Sequence, residues 1–180
     1  MKPVLIHTHF HKRKTGVTRS IENVLPFFSN EFETYVYGSN IDGNHISKSK
    51  LKTLLFSDTK TVVHCHRNNE IIKMLWFRIL GAKFSLIATR HAESKPSGLT
   101  KFLLKKADKV ITLIQTMSNN LGIENTIVGH GIQVDKFVSK PNTKLEHVSQ
   151  ENIILNAGRV RKAKGQLVLL EAAKVLTAYK

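Results

Sequence analysis

Six short runs rich in β-branched and other apolar residues, at 3–7, 33–37, 61–65, 83–89, 109–113 and 125–129, alternate with segments of helical period. No other feature constrains the fold as strongly. Strand side chains repeat every two residues and helix side chains about every 3.6, so the two kinds of segment can be told apart in the sequence. Several of the runs are continuously apolar, as strands covered on both faces must be. Helices are expected at about 16–29, 47–56, 68–80, 99–107 and 115–121, with Pro26 ending or kinking the first. In the third, Ile71, Ile72, Leu75, Trp76 and Ile79 fall at helical spacing and are expected to pack in the core. Strands alternating with helices define an α/β class with a Rossmann-like parallel sheet and helices on both faces.

Residues 139–151 turn polar and include a proline, which reads as a linker. An apolar run at 152–157, a basic turn and a helical pattern at 165–178 follow. The expected organisation is an N-terminal domain at 1–138, the linker at 139–151, and the first strand-helix unit of a second Rossmann-like domain at 152–180. One such unit cannot bury its own apolar face, so the second domain is expected to be incomplete and the chain truncated.

The chain carries 28 Lys plus Arg against 13 Asp plus Glu, a net charge of +15, which calls for an anionic partner. The cations cluster at Lys12–Lys14, around Lys48–Lys52, at Lys101–Lys109 and around Arg159–Lys164. Aromatic residues lie inside apolar runs rather than between basic ones, and RGG-like tracts are missing, so no nucleic acid partner is expected. The one cysteine, Cys65, rules out an internal disulfide or a Cys-rich zinc module and suits a reducing, cytoplasmic setting. No apolar run approaches the ~18 residues of a membrane-spanning helix, and MKPVLIHTHFHKRK is not expected to act as a signal peptide.

Ligands of open α/β sheets bind beyond the carboxyl ends of the strands. His7, His9 and His11 follow the first expected strand, His64 and His66 the third, His91 the fourth and His130 the sixth, leaving only His45 and His147 elsewhere. Such an edge suits two chemistries. His7-Thr8-His9 resembles the opening of hydrolytic metal sites, but the carboxylates such sites need are scarce: Glu93 is nearest, with Asp42, Asp58 and Asp108 elsewhere. A phosphorylated or sugar ligand is the alternative, with neutral imidazoles orienting hydroxyls and the helix start at Thr15-Gly16-Val17 holding an anion.

Gly158-Arg159-Val160-Arg161-Lys162-Ala163-Lys164-Gly165 joins an apolar run to a helical one. Arg159 can grip two phosphate oxygens and Lys164 adds a point charge where the helix begins. This G-R-x-x-x-x-K-G pattern resembles the donor-phosphate motif of family 4 glycosyltransferases, which have the GT-B fold. TVVHCH at 61–66, IATRH at 87–91, ADKVITLIQTMSNNL at 107–121 and IVGHGIQVDKF at 127–137 resemble further segments of that family in order. The opening TGVTRSIENVLPFF is similar to that of its lipopolysaccharide core mannosyltransferases. Two positions depart from the pattern: Thr15-Gly16 stands where two glycines are usual, and Gln133 where Asp is usual.

The resemblance implies a retaining glycosyltransferase that uses no cofactor or catalytic metal. It moves a sugar from a nucleotide-diphosphate donor, GDP-mannose by analogy, to a glycolipid acceptor at an anionic membrane surface. Arg159 and Lys164 would hold the donor diphosphate with Gly16 beside it, His91 would be catalytic, and His66 and Arg67 would shape the acceptor side. A partner chain carrying the rest of the donor domain and a peripheral place on the inner membrane face are implied in the same way. A metal-dependent hydrolase using the His-x-His motifs and a non-catalytic basic binding module stay open as alternatives.

Overall fold

The computed structural model describes residues 2–131, 134, 153–158, 160 and 162–178. The chain forms two compact units, Met1–Phe137 and Val138–Lys180.

The first unit runs β1 (Val4–His9), α1 (Gly16–Phe28), β2 (Glu33–Gly38), α2 (Lys48–Leu55), β3 (Thr61–Cys65), α3 (Asn68–Ile79), β4 (Ser85–Thr89), α4 (Gly98–Lys105), β5 (Lys109–Thr112), α5 (Gln115–Leu121) and β6 (Thr126–Ile127). The strands form one sheet in the order β2-β1-β3-β4-β5-β6. Every pairing is parallel, as the alternation of elements requires. This is the expected Rossmann-like α/β fold. From β1 the chain winds one way through α1 to β2, while β3 to β6 wind the other way. The topological switch point therefore lies between β1 and β3.

Residues of opposite parity serve the two faces of the central strands. Val4 and Ile6 of β1 and Val63 and Cys65 of β3 enter the main core with Leu51, Leu55, Ile71, Met74, Leu103 and Leu121 from α2 to α5. On the other face α1 covers the sheet through Ile21, which packs with Val36 and Ile41 in a smaller core. His7, His64 and His66 have the parity of this α1 face. They line a cavity there with Ser20, Ile21 and Val24 of α1.

Local chemistry sets the boundaries. Thr15 caps α1 in a reciprocal box with Thr18, and Ser47 and Ser97 cap α2 and α4. Gly38 closes β2 at a φ of +141°, where an added Cβ would fall 1.9 Å from the carbonyl oxygen of His9. Only glycine lets β2 end so close to β1.

Three expectations change. Helix α1 keeps Pro26 in its last turn and ends at Phe28. Strand β1 extends to His9, so His7 sits within it rather than after it. In α3 the core face is Glu70, Ile71, Met74 and Phe77, whereas Ile72, Trp76 and Ile79 are exposed. That helix is apolar around most of its circumference, and the burial follows the 71/74/77 stripe instead of the 72/76/79 stripe.

In the second unit a 3₁₀ turn at Lys162–Lys164 leads into α6 (Gln166–Ala178). Residues 153–157, expected as a strand, carry no strand pairing among the described residues. Leu167, Val168, Leu170, Val175 and Leu176 of α6 are exposed. Among the described residues no helix is long and apolar enough to cross a membrane.

Candidate functional site

Register builds the site. His7 of β1 and His64 of β3 are direct partners across the switch point, and His64 faces Ile87 of β4 in turn. His66, two residues beyond His64, continues the same face. The His64 and His66 rings lie 4.3 Å apart, centroid to centroid, and His7 lies 4.9 Å from His64.

The wall continues outward from this cluster. His66 Nδ1 is 3.1 Å from His91 Nε2, the His91 ring stacks on His130 at 5.7 Å, and His130 Nδ1 meets Ser20 Oγ of α1 at 2.7 Å. Five histidines from four different segments thus form one continuous array at the carboxyl edge. His7, Phe28, His64, His66, Thr89, His91 and His130 share the lining of a cavity of about 140 Å³ there. A second hollow of about 240 Å³ opens on the other side of the His66–His91 wall, between Val17, Arg67, Arg90 and Thr100. Larger hollows of about 530 and 600 Å³ lie near Pro3 and Lys60 at the amino-terminal edge and have no histidine in their walls.

Burial keeps the His7, His64, His66 and His91 imidazoles neutral. It lowers His7 to about 4 and pushes His64 and His66 well below the ordinary histidine range, aided by the neighbouring rings. His91 also falls to about 4, through burial first and then the charges of His130 and Arg67. Neutral rings at pH 7 can each accept through one nitrogen and donate through the other, which suits them to sugar hydroxyls.

Beneath the wall lies Glu70, in the first turn of α3 and fully buried. Its Oε2 accepts from the His66 backbone N–H at 2.7 Å and Thr8 Oγ1 at 3.0 Å, while Oε1 accepts from the Phe10 N–H at 3.2 Å. One carboxylate thereby ties the end of β1 to the end of β3. Burial raises its pKa, and these three hydrogen bonds work in the opposite direction.

The expected site residues fall as follows. His66 and His91 join the array. Arg67 stands at the N-cap of α3, its guanidinium reaching Thr15 Oγ1 at 3.4 Å, and its Nε is buried without a partner. Gly16 opens α1 beside Thr15, and a Cβ there would meet nothing within 4 Å, so local packing does not itself demand glycine. Lys164 lies exposed at the end of the 3₁₀ turn in the second unit, and Arg159 falls outside the described residues.

Of the other strand-end histidines, His9 is held apart from the array by Ser39 O at 2.7 Å and Thr18 Oγ1 at 2.8 Å. His11 bonds the carbonyl of Arg13. The three histidines whose ring nitrogens come within 4.8 Å of one another are therefore His7, His64 and His66, not the His7–His9 pair that the sequence suggested. Sequence reading missed Glu70. The available signal was an acid four residues after the second His of the H-x-H motif, at the start of an expected helix.

No family model and no solved structure match the chain. Among curated proteins it is similar to the lipopolysaccharide core biosynthesis mannosyltransferase LpcC of Rhizobium leguminosarum bv. viciae, 23% identical over 180 residues. That match covers 93% of this chain and 51% of LpcC. It is also similar to the lipopolysaccharide core biosynthesis mannosyltransferase LpsB of Rhizobium meliloti (strain 1021), 30% identical over 77 residues, or 42% of this chain and 22% of LpsB. The chain thus spans about half the length of LpcC, and its match to LpsB is shorter still. Together with the Rossmann-like sheet, these similarities support a glycosyltransferase relationship for the chain.

Proposed function

We propose that this chain is the acceptor-side domain, with the first strand-helix unit of the donor-binding domain, of a retaining glycosyltransferase of family 4 with the GT-B arrangement. The whole protein moves a sugar from a nucleotide-diphosphate donor, GDP-mannose in this reading, onto a lipopolysaccharide core or related glycolipid. The observation that carries this reading is the match to LpcC along nearly the whole chain. The array at the carboxyl edge of the switch point is consistent with it, since that is where open α/β sheets take ligands.

The roles follow from the chemistry of each residue. His91, between His66 and His130 in the array, offers a neutral imidazole to a sugar hydroxyl and steadies developing charge in the transition state. His66 and Arg67 shape the acceptor side of the same wall. Arg159 and Lys164 hold the donor diphosphate, with Gly16 leaving room at the start of α1. The protein works peripherally at the inner face of an anionic membrane, drawn there by its net charge of +15.

A transfer assay with radiolabelled nucleotide sugars and lipopolysaccharide core as acceptor tests the reading. The whole protein should pass label from GDP-mannose to the core and lose that activity with His91→Ala. Transfer at an unchanged rate in the His91→Ala variant would remove His91 from the mechanism. Whole protein that transfers nothing from any nucleotide sugar would remove the function.

A further inference from the structure

We propose that His7, His64 and His66 form a three-imidazole binding site for a divalent transition-metal ion of the zinc class. This proposal does not depend on the glycosyltransferase reading. It concerns an ion held by the sheet and assigns it no step in sugar transfer.

His7 and His64 are register partners on adjacent parallel strands across the switch point, and His66 follows directly after β3 on the same face. Each can present one ring nitrogen to a common point, and these nitrogens lie within 4.8 Å of one another. One nitrogen on each of two of the rings is already engaged. His64 Nε2 meets Thr89 Oγ1 at 2.7 Å, and His66 Nδ1 meets His91 Nε2 at 3.1 Å. Outer partners of this kind fix ring orientation and tautomer in metal sites. With their N–H groups directed to Thr89 and His91, His64 and His66 have lone pairs left for a shared cation.

His7 completes the set and explains why a hydrogen-bond network alone does not satisfy it. Its Nδ1 lies 3.4 Å from His66 Nε2, long for an N–H···N bond. Two nitrogens bound to one tetrahedral ion at about 2.0–2.1 Å would be separated by about 3.4 Å. His7 Nε2 is buried with no partner at all. An ion bound through Nδ1 would fix the His7 tautomer, with the ring proton on Nε2.

The donor set selects the ion. Three neutral imidazoles suit Zn(II), Co(II), Ni(II) and Cu(II), whereas Mg(II) and Ca(II) prefer oxygen ligands. Glu70 is occupied by the Thr8, Phe10 and His66 donors. The site therefore leaves the ion's positive charge uncompensated and a coordination position free. The cavity of about 140 Å³ beside the cluster provides space for water or an anionic ligand at that position.

The test titrates the chelator-treated 180-residue chain with Co(II) at pH 7.5, follows visible absorption, and then adds Zn(II). The expected result is one saturable equivalent with the spectrum of four-coordinate Co(II), displaced by one equivalent of Zn(II). His64→Gln should weaken binding by at least about 100-fold, and His45→Gln, outside the cluster, should leave it unchanged. A second measurement covers a His64 variant that does not fold. In the wild-type chain, one equivalent of Zn(II) should shift the imidazole NMR resonances of His7, His64 and His66 and leave His45 in place. No saturable equivalent, undiminished binding by a folded His64→Gln chain, or Zn(II) shifts confined to other histidines would each overturn the proposal.

Discussion

Glu70 supports the histidine wall. Its buried carboxylate is the shared acceptor for the Thr8 hydroxyl and for the backbone N–H groups of Phe10 and His66. Glu70→Ala would leave the Phe10 and His66 N–H groups with no acceptor at the switch point, and Thr8 Oγ1 with only His64 O and Cys65 Sγ at 3.3 Å; each unsatisfied buried donor costs about 1–3 kcal/mol. Allowing for water to enter, the chain should lose about 3 kcal/mol in urea unfolding, and a loss below about 1 kcal/mol would show that the clamp matters little. The imidazoles make a second prediction. An unfolded histidine titrates near 6.5. His7 and His91 titrate at about 4 in the fold, and His64 and His66 are lowered as well. Below about pH 6.5 the unfolded chain binds more protons than the folded one, so stability falls as the pH drops towards 4 and is flat with respect to these groups above 6.5. His7 alone accounts for at most about 3 kcal/mol of that loss. Unfolding measured in chelator between pH 7.5 and 4.5 should show the decline, and His7→Phe should flatten it. Equal slopes in the two proteins would contradict the assignment. The array itself was legible in the sequence, because His66, His91 and His130 fall at or just beyond the ends of expected strands and His64 lies within one, two residues before His66. Separating His9 from His7 was not, because it depends on Thr18 and Ser39, contacts that spacing does not encode.

Elements were more legible than their faces. All six strands and the five helices of the first unit lie within a few residues of their expected positions, because short β-branched runs and capped helical segments carry different periods. Helix α3 shows where periodicity fails, since an apolar helix offers two stripes and only the sheet beneath decides between them. Its outer stripe leaves Trp76 62% exposed and Ile79 73% exposed. On α4, Leu99 and Phe102 are exposed while Leu103 is buried, so the apolar surface of that helix is narrower than its sequence suggests. Lys105 and Lys106 are exposed at the end of α4, Lys106 over the Phe102 ring, whereas Lys73 bonds Tyr37 and Arg78 pairs with Asp108. A surface combining apolar groups with cations should bind anionic bilayers, at about 1 kcal/mol for each basic side chain near the surface. Trp76 is the chain's single tryptophan and therefore a built-in reporter. Its emission should shift to the blue with acidic vesicles and return with added salt. The same shift with neutral vesicles at high salt would contradict electrostatic docking.

For the whole molecule, the contrast between the two units matters most. The first has a sheet with buried side chains on both faces, whereas α6 of the second exposes Leu167, Val168, Leu170, Val175 and Leu176. Hydrogen exchange on the isolated 180-residue chain should show strong protection in β1, β3 and β4 and little across 167–176, because few buried apolar contacts hold that helix. Strong protection of α6 in a monomer would contradict this account. The donor half of the proposed enzyme was legible only as the Arg159 and Lys164 pattern. A phosphate-binding loop has no chemistry until the ligand and the rest of its fold surround it. The carboxyl edge of the first unit is proposed to hold a glycolipid acceptor. The most direct measurement is an NMR titration of the 180-residue chain with a lipopolysaccharide core oligosaccharide. Saturable shifts at His66, Arg67 and His91, with the amino-terminal edge around Lys60 unchanged, are the predicted result. Shifts confined to the Lys60 edge, or none at millimolar oligosaccharide, would contradict it.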